Sequence, residues 1–86
     1  MEERYVVYVI GGRGGGDYFR SIGGYISRRG LFKKVEPAVW CTNKADEVKI
    51  FLTKSAAQAV VDEIHKRFPK ITSAEVLNYN DADLTS

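Results

Sequence analysis

All eight glycines of this 86-residue chain lie between Gly11 and Gly30. Glycine loses more conformational freedom on folding than any other residue, so an ordered glycine cluster indicates a backbone that turns sharply or approaches a partner closely. The segment contains one acidic residue, Asp17, and a group of arginines and aromatics: Arg13, Tyr18, Phe19, Arg20, Tyr25, Arg28 and Arg29. The sequence therefore predicts either a contact surface or a flexible connection between strands in this stretch.

The length of the chain limits what it can do. Eighty-six residues suffice for one domain with one modest core, and we expect a single domain over residues 1–86. A catalytic cleft with its own lid would be hard to fit, so we expect no enzymatic activity. The longest apolar run is far below the roughly 20 residues that a membrane span needs, so we expect no membrane partner.

Two features of the sequence predict a cytoplasmic protein. The N-terminus begins with Glu2 and Glu3 and continues with strand-like residues, which is the wrong order for a secretory signal. Cys41 is the only cysteine, so no intramolecular disulfide can form, whereas small secreted domains usually contain several.

The charges are distributed unevenly along the chain. From Arg4 to Lys44 there are eight basic and two acidic residues, whereas Ala45 to Ser86 has five basic and seven acidic residues. A basic half attracts acidic partners by accelerating encounter, but it does not distinguish phosphates from a carboxylate-rich protein surface.

The N-terminal half has the composition of strands. Arg4 to Ile10 is rich in β-branched and aromatic residues at both alternating positions, which predicts a central strand covered on both faces. Gly23-Gly24 lies between Asp17–Ile22 and Tyr25–Arg28, and two glycines between strand-like runs favour a tight hairpin turn. Leu31 to Trp40 contains Pro37 and predicts a loop or an edge strand.

The C-terminal half contains the clearest helix. Ser55 with Gln58 has the spacing of a capping box, and Pro69 follows the predicted end at Phe68. The apolar stripe of this helix consists of Ala57, Val60, Val61, Ile64 and Phe68. Glu47 to Thr53 fits a strand and a single helical turn about equally well.

The end of the chain completes the predicted fold. Ile71 to Tyr79 alternates as a last strand should, and Asn80 to Ser86 is predicted to be a frayed acidic tail. Together the segments predict an α+β domain with a small antiparallel sheet of three to five strands and one main amphipathic helix packed on one face.

The sequence contains no cofactor or metal motif. The glycines lack the spacing of a dinucleotide-binding or phosphate-binding loop, and a strand pattern follows them instead of a helix. One histidine, His65, and one cysteine, Cys41, do not make a zinc site. We therefore expect no cofactor, no metal and no catalytic residue.

The stretch from Trp40 to Val61 resembles a pattern in small accessory proteins of bacteriophages and mobile elements. That pattern has a Trp-Thr corner, an apolar-x-x-Phe turn and a Thr-Lys-x-x-Ala helix start. The matching residues here are Trp40, Thr42, Val48, Phe51, Thr53, Lys54, Ala57 and Val61. Cys41 between Trp40 and Thr42 departs from the commonest form. The resemblance implies a non-enzymatic binder that blocks a host component, including defence nucleases, as anti-CRISPR proteins do.

These observations lead to one hypothesis and two alternatives. The leading hypothesis is inhibition of a host protein, with contact residues Arg13, Tyr18, Arg20, Tyr25, Arg28 and Arg29, because arginine and tyrosine often anchor interfaces. The first alternative is a nucleic-acid or nucleotide binding module that uses the same residues on phosphates and bases. The second is a homo-oligomer formed through an exposed sheet edge.

Overall fold

A computed structural model describes residues 3–11, 14–29 and 32–85. The elements, in chain order, are β1 (Tyr5–Gly11), β2 (Gly14–Arg29), β3 (Phe32–Thr42), α1 (Lys54–Arg67), β4 (Ile71–Asn78) and a 3₁₀ turn (Tyr79–Asp81). The four strands form an antiparallel sheet in the order β3-β2-β1-β4, and α1 packs on one face against β4 and β1. The predicted α+β class with a small antiparallel sheet and one helix is confirmed.

Strand β1 lies inside the sheet and is covered on both faces, as its composition predicts. Val6 and Val7 are both fully buried, and they point to opposite faces because neighbouring residues of a strand alternate. Val7 belongs to the cluster under α1, which also contains Val9, Phe19, Phe51, Ala57, Val61, Ile64 and Ala74. Val6 belongs to a second cluster on the opposite face, with Tyr18 and Val48.

Helix α1 buries Ala57, Val61 and Ile64, which confirms the centre of the predicted apolar stripe. The N-cap, however, is Thr53 and not Ser55. Thr53 has an extended backbone, and its side-chain oxygen accepts a hydrogen bond of 3.1 Å from the amide of Ala56. This satisfies one of the amides that the first helical turn leaves without a partner. The predicted capping box is therefore wrong.

Strand β2 continues straight through Gly23 and Gly24, where the sequence favoured a hairpin turn. Both residues are paired with β3, opposite Ala38 and Pro37. A Cβ atom at Gly23 would lie 2.6 Å from Nε1 of Trp40, and one at Gly24 would lie 3.1 Å from Cγ1 of Val35. The two glycines therefore make room for large cross-strand neighbours, and the turn prediction is wrong.

The segment from Leu31 to Trp40 contributes an edge strand, which was one of its two predicted forms. Pro37 lies within β3, and proline is tolerated on an edge strand because its missing N–H can face solvent. Strand β2 has 16 residues but pairs with β1 only up to Tyr18. Beyond that point the described residues of β2 and β3 pair only with each other in the sheet. Residues 21–29 and 32–40 thus form a two-stranded arm, called the ribbon below.

The segment Glu47 to Thr53 is neither a strand nor a helical turn. Its described backbone makes turns and bends, apart from a single bridge between Phe51 and Tyr5. Val48 joins the cluster opposite α1, whereas Phe51 joins the cluster under α1. The segment wraps one end of the sheet and supplies apolar side chains to both faces.

The C-terminal segment packs against the sheet instead of fraying. Tyr79, Ala82 and Leu84 cover the cluster opposite α1. The amide of Thr85 donates to the carbonyl of Asn43, and the Thr85 carbonyl accepts from the amide of Ala45, at 2.8 and 2.7 Å. In the predicted tail, Asn80 to Ser86, the acidic residues Asp81 and Asp83 hid two apolar side chains that lie beside them, Ala82 and Leu84. Ser86 lies outside the described residues.

The position of the N-cap gives a direct test of the helix start. Thr53→Ala is expected to lower the free energy of unfolding by about 1 kcal/mol, because the Ala56 amide loses its partner. Ser55→Ala, two residues on, should change it by less than half as much. Urea denaturation of both variants measures the difference, and a larger loss for Ser55→Ala would contradict the structure.

Candidate partner-binding surface

The ribbon concentrates exposed apolar side chains. Six large hydrophobic residues are exposed in the described part of the chain, and the ribbon carries four of them: Ile26, Phe32, Val35 and Trp40. Phe32 is 79% exposed, Val35 71% and Ile26 67%. Clustered exposed apolar surface on a small domain marks an interaction site more often than scattered single residues do.

The ribbon has two faces that differ in composition. The inner face continues from the cluster under α1: Ile22 and Val39 pack against that cluster, and Ile26 and Val35 follow further out. Gly24 and Pro37 lie between these two pairs, and strand alternation adds Lys33 near the far end.

The outer face of the ribbon is more polar. By strand alternation it carries Gly23, Phe32, Lys34, Glu36, Ala38 and Trp40. Lys34 Nζ lies 4.0 Å from a carboxylate oxygen of Glu36, a distance at which an exposed ion pair contributes little to stability. Trp40 lies over Gly23 and is 44% exposed, so its indole is fixed in position but still reachable by a partner.

Two predicted contact residues need separate treatment. Arg13 lies outside the described residues. Tyr18 is only 7% exposed, its ring centre is 5.1 Å from that of Tyr8, and its hydroxyl accepts a 2.8 Å hydrogen bond from the amide of Asp83. Tyr18 therefore holds the C-terminal segment on the sheet. Strand alternation places Tyr18 on the buried face of β2, which leaves little of its side chain within reach of a partner.

The other four predicted contact residues lie along β2. Arg20 is exposed and sits at an irregularity between Phe19 and Ser21, where the pairing with β3 shifts by one residue. Tyr25, Arg28 and Arg29 are ribbon positions opposite Glu36, Lys33 and Phe32, respectively. The shift at Arg20 breaks the alternation along β2. An even number of positions between Arg20 and Arg28 therefore does not place the two residues on one face.

Sequence reasoning missed the exposed apolar residues of the ribbon. Val35 and Phe32 fall in the segment whose structure the sequence left open, and Ile26 was assigned to the second arm of the mistaken hairpin. Reading residues 32–40 as a strand would have shown Val35, Pro37 and Val39 on one face.

Two side chains, Cys41 and Tyr5, have pKa values above their ordinary ones. Desolvation and, to a smaller extent, the charge of Asp17 raise the pKa of the Cys41 thiol from 9.0 to about 11. A hydrogen bond from its hydroxyl to Glu3 raises the pKa of Tyr5. Both groups thus stay protonated at neutral pH and are poor nucleophiles or bases.

Neither a cluster of metal-binding side chains nor a membrane-spanning helix occurs among the described residues. No group of three or more histidine, cysteine, aspartate or glutamate residues among them is placed to hold a metal ion. None of the helices in that part of the chain is long and apolar enough to cross a membrane.

Comparison with protein-family models, with curated proteins and with solved structures finds no match to this chain. Its function must therefore be inferred from the geometry and charge of the chain itself.

The raised pKa of Cys41 predicts slow alkylation. At pH 7.5 the thiol should react with iodoacetamide roughly tenfold more slowly in the folded protein than in urea, because two pKa units leave about 100-fold less thiolate and make that thiolate about tenfold more nucleophilic. The rate should rise with pH up to about 11. Equal rates in the folded and unfolded protein would contradict the desolvation of this thiol.

The role of Tyr18 is also testable. Tyr18→Phe removes the acceptor for the Asp83 amide and should lower the free energy of unfolding by about 1–2 kcal/mol. Hydrogen exchange of the Asp83 amide should become faster at the same time. Unchanged exchange at Asp83 would show that Tyr18 does not hold the C-terminal segment.

Proposed function

We propose that this chain is a non-enzymatic binding protein whose ribbon docks on an acidic surface of a host protein and blocks it. The observation that carries the proposal is the ribbon itself: a two-stranded arm that leaves the sheet and exposes Ile26, Phe32, Val35 and Trp40. The contact positions are Arg20, Tyr25, Arg28 and Arg29, as the sequence predicts, with Phe32 and Trp40 in place of Tyr18.

A two-stranded arm of this kind needs a covering surface. Isolated hairpins are marginally stable in water, because each strand has a neighbour on one side only and no layer covers its apolar residues. Burying Phe32 and Trp40 against a partner would remove from water two large aromatic side chains, a residue class that dominates interface energetics. The arm therefore gains stability by binding.

The charge of the ribbon indicates the chemistry of the partner. Its described side chains include Lys33, Lys34 and one acid, Glu36, and the neighbouring Arg20 is exposed. The sequence adds Arg28 and Arg29 at the far end of β2. A cationic arm approaches an acidic protein surface faster than a neutral or basic one, and like charges exclude other partners.

The shape of the ribbon supports a blocking role. Two paired strands lie only about 5 Å apart, so such an arm is narrow enough to enter a cleft that a globular body could not enter. The resemblance of residues 40–61 to phage accessory proteins adds the biological setting: a host protein in the cytoplasm, with defence nucleases as the first class to test.

Binding to nucleic acid is the competing function, and the exposed apolar residues argue against it. A nucleic-acid ribbon needs cations over most of its length, since phosphate contacts supply most of the affinity. Here the inner face is apolar from Ile22 to Ile26 on β2 and from Val39 to Val35 on β3. That arrangement fits a protein surface better than a phosphate backbone.

Capture from a nuclease-treated host lysate tests the proposal. The tagged chain should retain a specific protein after nuclease treatment, and Arg20→Glu with Lys34→Glu should reduce the retained amount about tenfold or more. Lys54→Glu with Lys70→Glu is the matched control, because it makes the same charge change at exposed positions of the body.

The outcomes separate the two functions. Loss of binding in both charge-reversed proteins would show non-specific attraction and contradict a ribbon site. Bound material that disappears with nuclease would identify nucleic acid as the partner. Phe32→Ser should weaken capture of a protein partner while leaving the circular dichroism spectrum unchanged.

A further inference from the structure

We infer that the inner face of the ribbon is a homodimer interface, in which a second copy of the chain packs its own inner face in antiparallel orientation with Gly24 and Pro37 at the two-fold axis. This interface goes beyond the proposed function, in which the ribbon is a contact surface for a different protein. The observation behind this interface is that the inner face is an apolar surface that extends beyond the core.

The inner face is continuous with the core. Ile22 and Val39 pack partly against the cluster under α1, while the next pair outward, Ile26 and Val35, is about 70% exposed. Helix α1 covers β4 and β1 on this same face of the sheet, toward the edge opposite β3. No element in the described parts of the chain covers Ile26 and Val35, so a layer of similar thickness to α1 fits beside it.

The inner face is also self-complementary. Counted outward along the ribbon, Ile22 and Val39 lie two positions before the Gly24–Pro37 pair, and Ile26 and Val35 lie two positions after it. A two-fold axis at Gly24–Pro37 therefore places Ile22 and Val39 of one copy against Ile26 and Val35 of the other. Such an interface is isologous, because each contact occurs twice.

Aliphatic side chains surround the centre of the proposed interface. Gly24 has no side chain, and Cγ1 of Val35 lies only 3.1 Å from the position that a Cβ atom of Gly24 would take, so Val35 leans toward the centre. In the proposed dimer the aliphatic pairs of the two copies face each other on both sides of the axis. Packed sheets approach to about 10 Å, which aliphatic side chains of this size can fill.

The charges favour the antiparallel orientation. In this arrangement the far ends of the two ribbons, each with the paired positions Arg28 and Lys33, lie at opposite ends of the dimer. They are about eight residues or about 26 Å apart, well beyond the screening length of about 8 Å at physiological ionic strength. Lys33 lies four positions beyond the axis, so it lies at the same position along the dimer as the Phe19–Cys41 pair of the other copy. The carboxylate that affects the pKa of Cys41 is Asp17, so Lys33 approaches a negative charge.

The free edge of β3 is a weaker candidate for the same role. Pairing of β3 with β3 of another copy requires a row of free N–H groups, and Pro37 interrupts that row at its centre. The inner face offers the exposed side chains of Ile26 and Val35, whereas the edge of β3 offers a row of hydrogen-bonding groups that Pro37 interrupts. The proposed dimer leaves Phe32, Lys34 and Trp40 on the outer faces, where a second protein can still bind.

Sedimentation of the purified chain over a range of concentrations tests the inference. The interface is short, so we expect a reversible dimer whose population rises with concentration. Val35→Ser should shift the dissociation constant about tenfold or more, whereas Phe32→Ser, at a more exposed apolar residue on the outer face, should leave it unchanged. A chain that remains monomeric at about 1 mM overturns the inference.

Cross-linking tests the antiparallel register. In a Lys33→Cys variant, a short bismaleimide at mildly alkaline pH should join the introduced thiol of one copy to Cys41 of the other and give a covalent dimer. Within one chain these positions are about 26 Å apart, and the two copies of Cys41 are separated by a similar distance, so neither pair can be bridged. Lys34→Cys on the outer face is the matched control.

Each cross-linking outcome is decisive. A covalent dimer in Lys33→Cys that disappears when Val35→Ser is added supports the interface. No dimer in Lys33→Cys after an incubation that fully alkylates Cys41 with a monofunctional maleimide, or equal dimer in Lys34→Cys, overturns it. Neither result depends on the host partner, so a failure of the dimer leaves the proposed function standing, and a failure to capture a partner leaves the dimer standing.

Discussion

The burial of β1 on both faces is the constraint on which the rest of the structure depends. Val6 and Val7 are fully buried on opposite sides of one strand, so the chain must supply a layer for each side. Helix α1 forms one layer, and the turn after β3 together with the C-terminal segment forms the other. The C-terminal residues therefore belong to the core and cannot be a solvated tail, since their removal would expose Val6 and Tyr18.

The mismatch in strand length explains the ribbon. Strand β1 has 7 residues and β4 has 8, whereas β2 has 16 and β3 has 11, so the second hairpin outgrows the part of the sheet that the two layers cover. Among the described side chains, the body holds the three largest fully buried ones, Ile64, Val6 and Val7, and the ribbon holds the most exposed aromatic and aliphatic ones, Phe32 and Val35. Stability and binding capacity are thereby located in different parts of an 86-residue chain.

The sequence was sufficient where a pattern is local and insufficient where a residue's role depends on a distant strand. The apolar stripe of α1, the two-sided strand β1 and the alternation of β4 are local patterns, and all three were predicted. Gly23 was misread because the reason for it is Trp40, on the neighbouring strand, and a glycine that makes room for a bulky neighbour looks in sequence like a glycine in a turn. Of the predicted contact residues, Arg20, Tyr25, Arg28 and Arg29 stay in the proposed contact surface. Tyr18 is left out of it, because Tyr8 and Asp83, which are distant in sequence, pack against it and bury it.

The path of β2 through Gly23 and Gly24 is the central claim, since both the ribbon and its two faces depend on it. Nuclear Overhauser contacts between backbone protons of the isotope-labelled chain test it most directly. The structure predicts cross-strand contacts between Ile26 and Val35 and between Ile22 and Val39, and none between Ile22 and Tyr25. Contacts between Ile22 and Tyr25, with those to Val35 and Val39 absent, would show a turn at the two glycines and remove the ribbon on which the binding proposals rest.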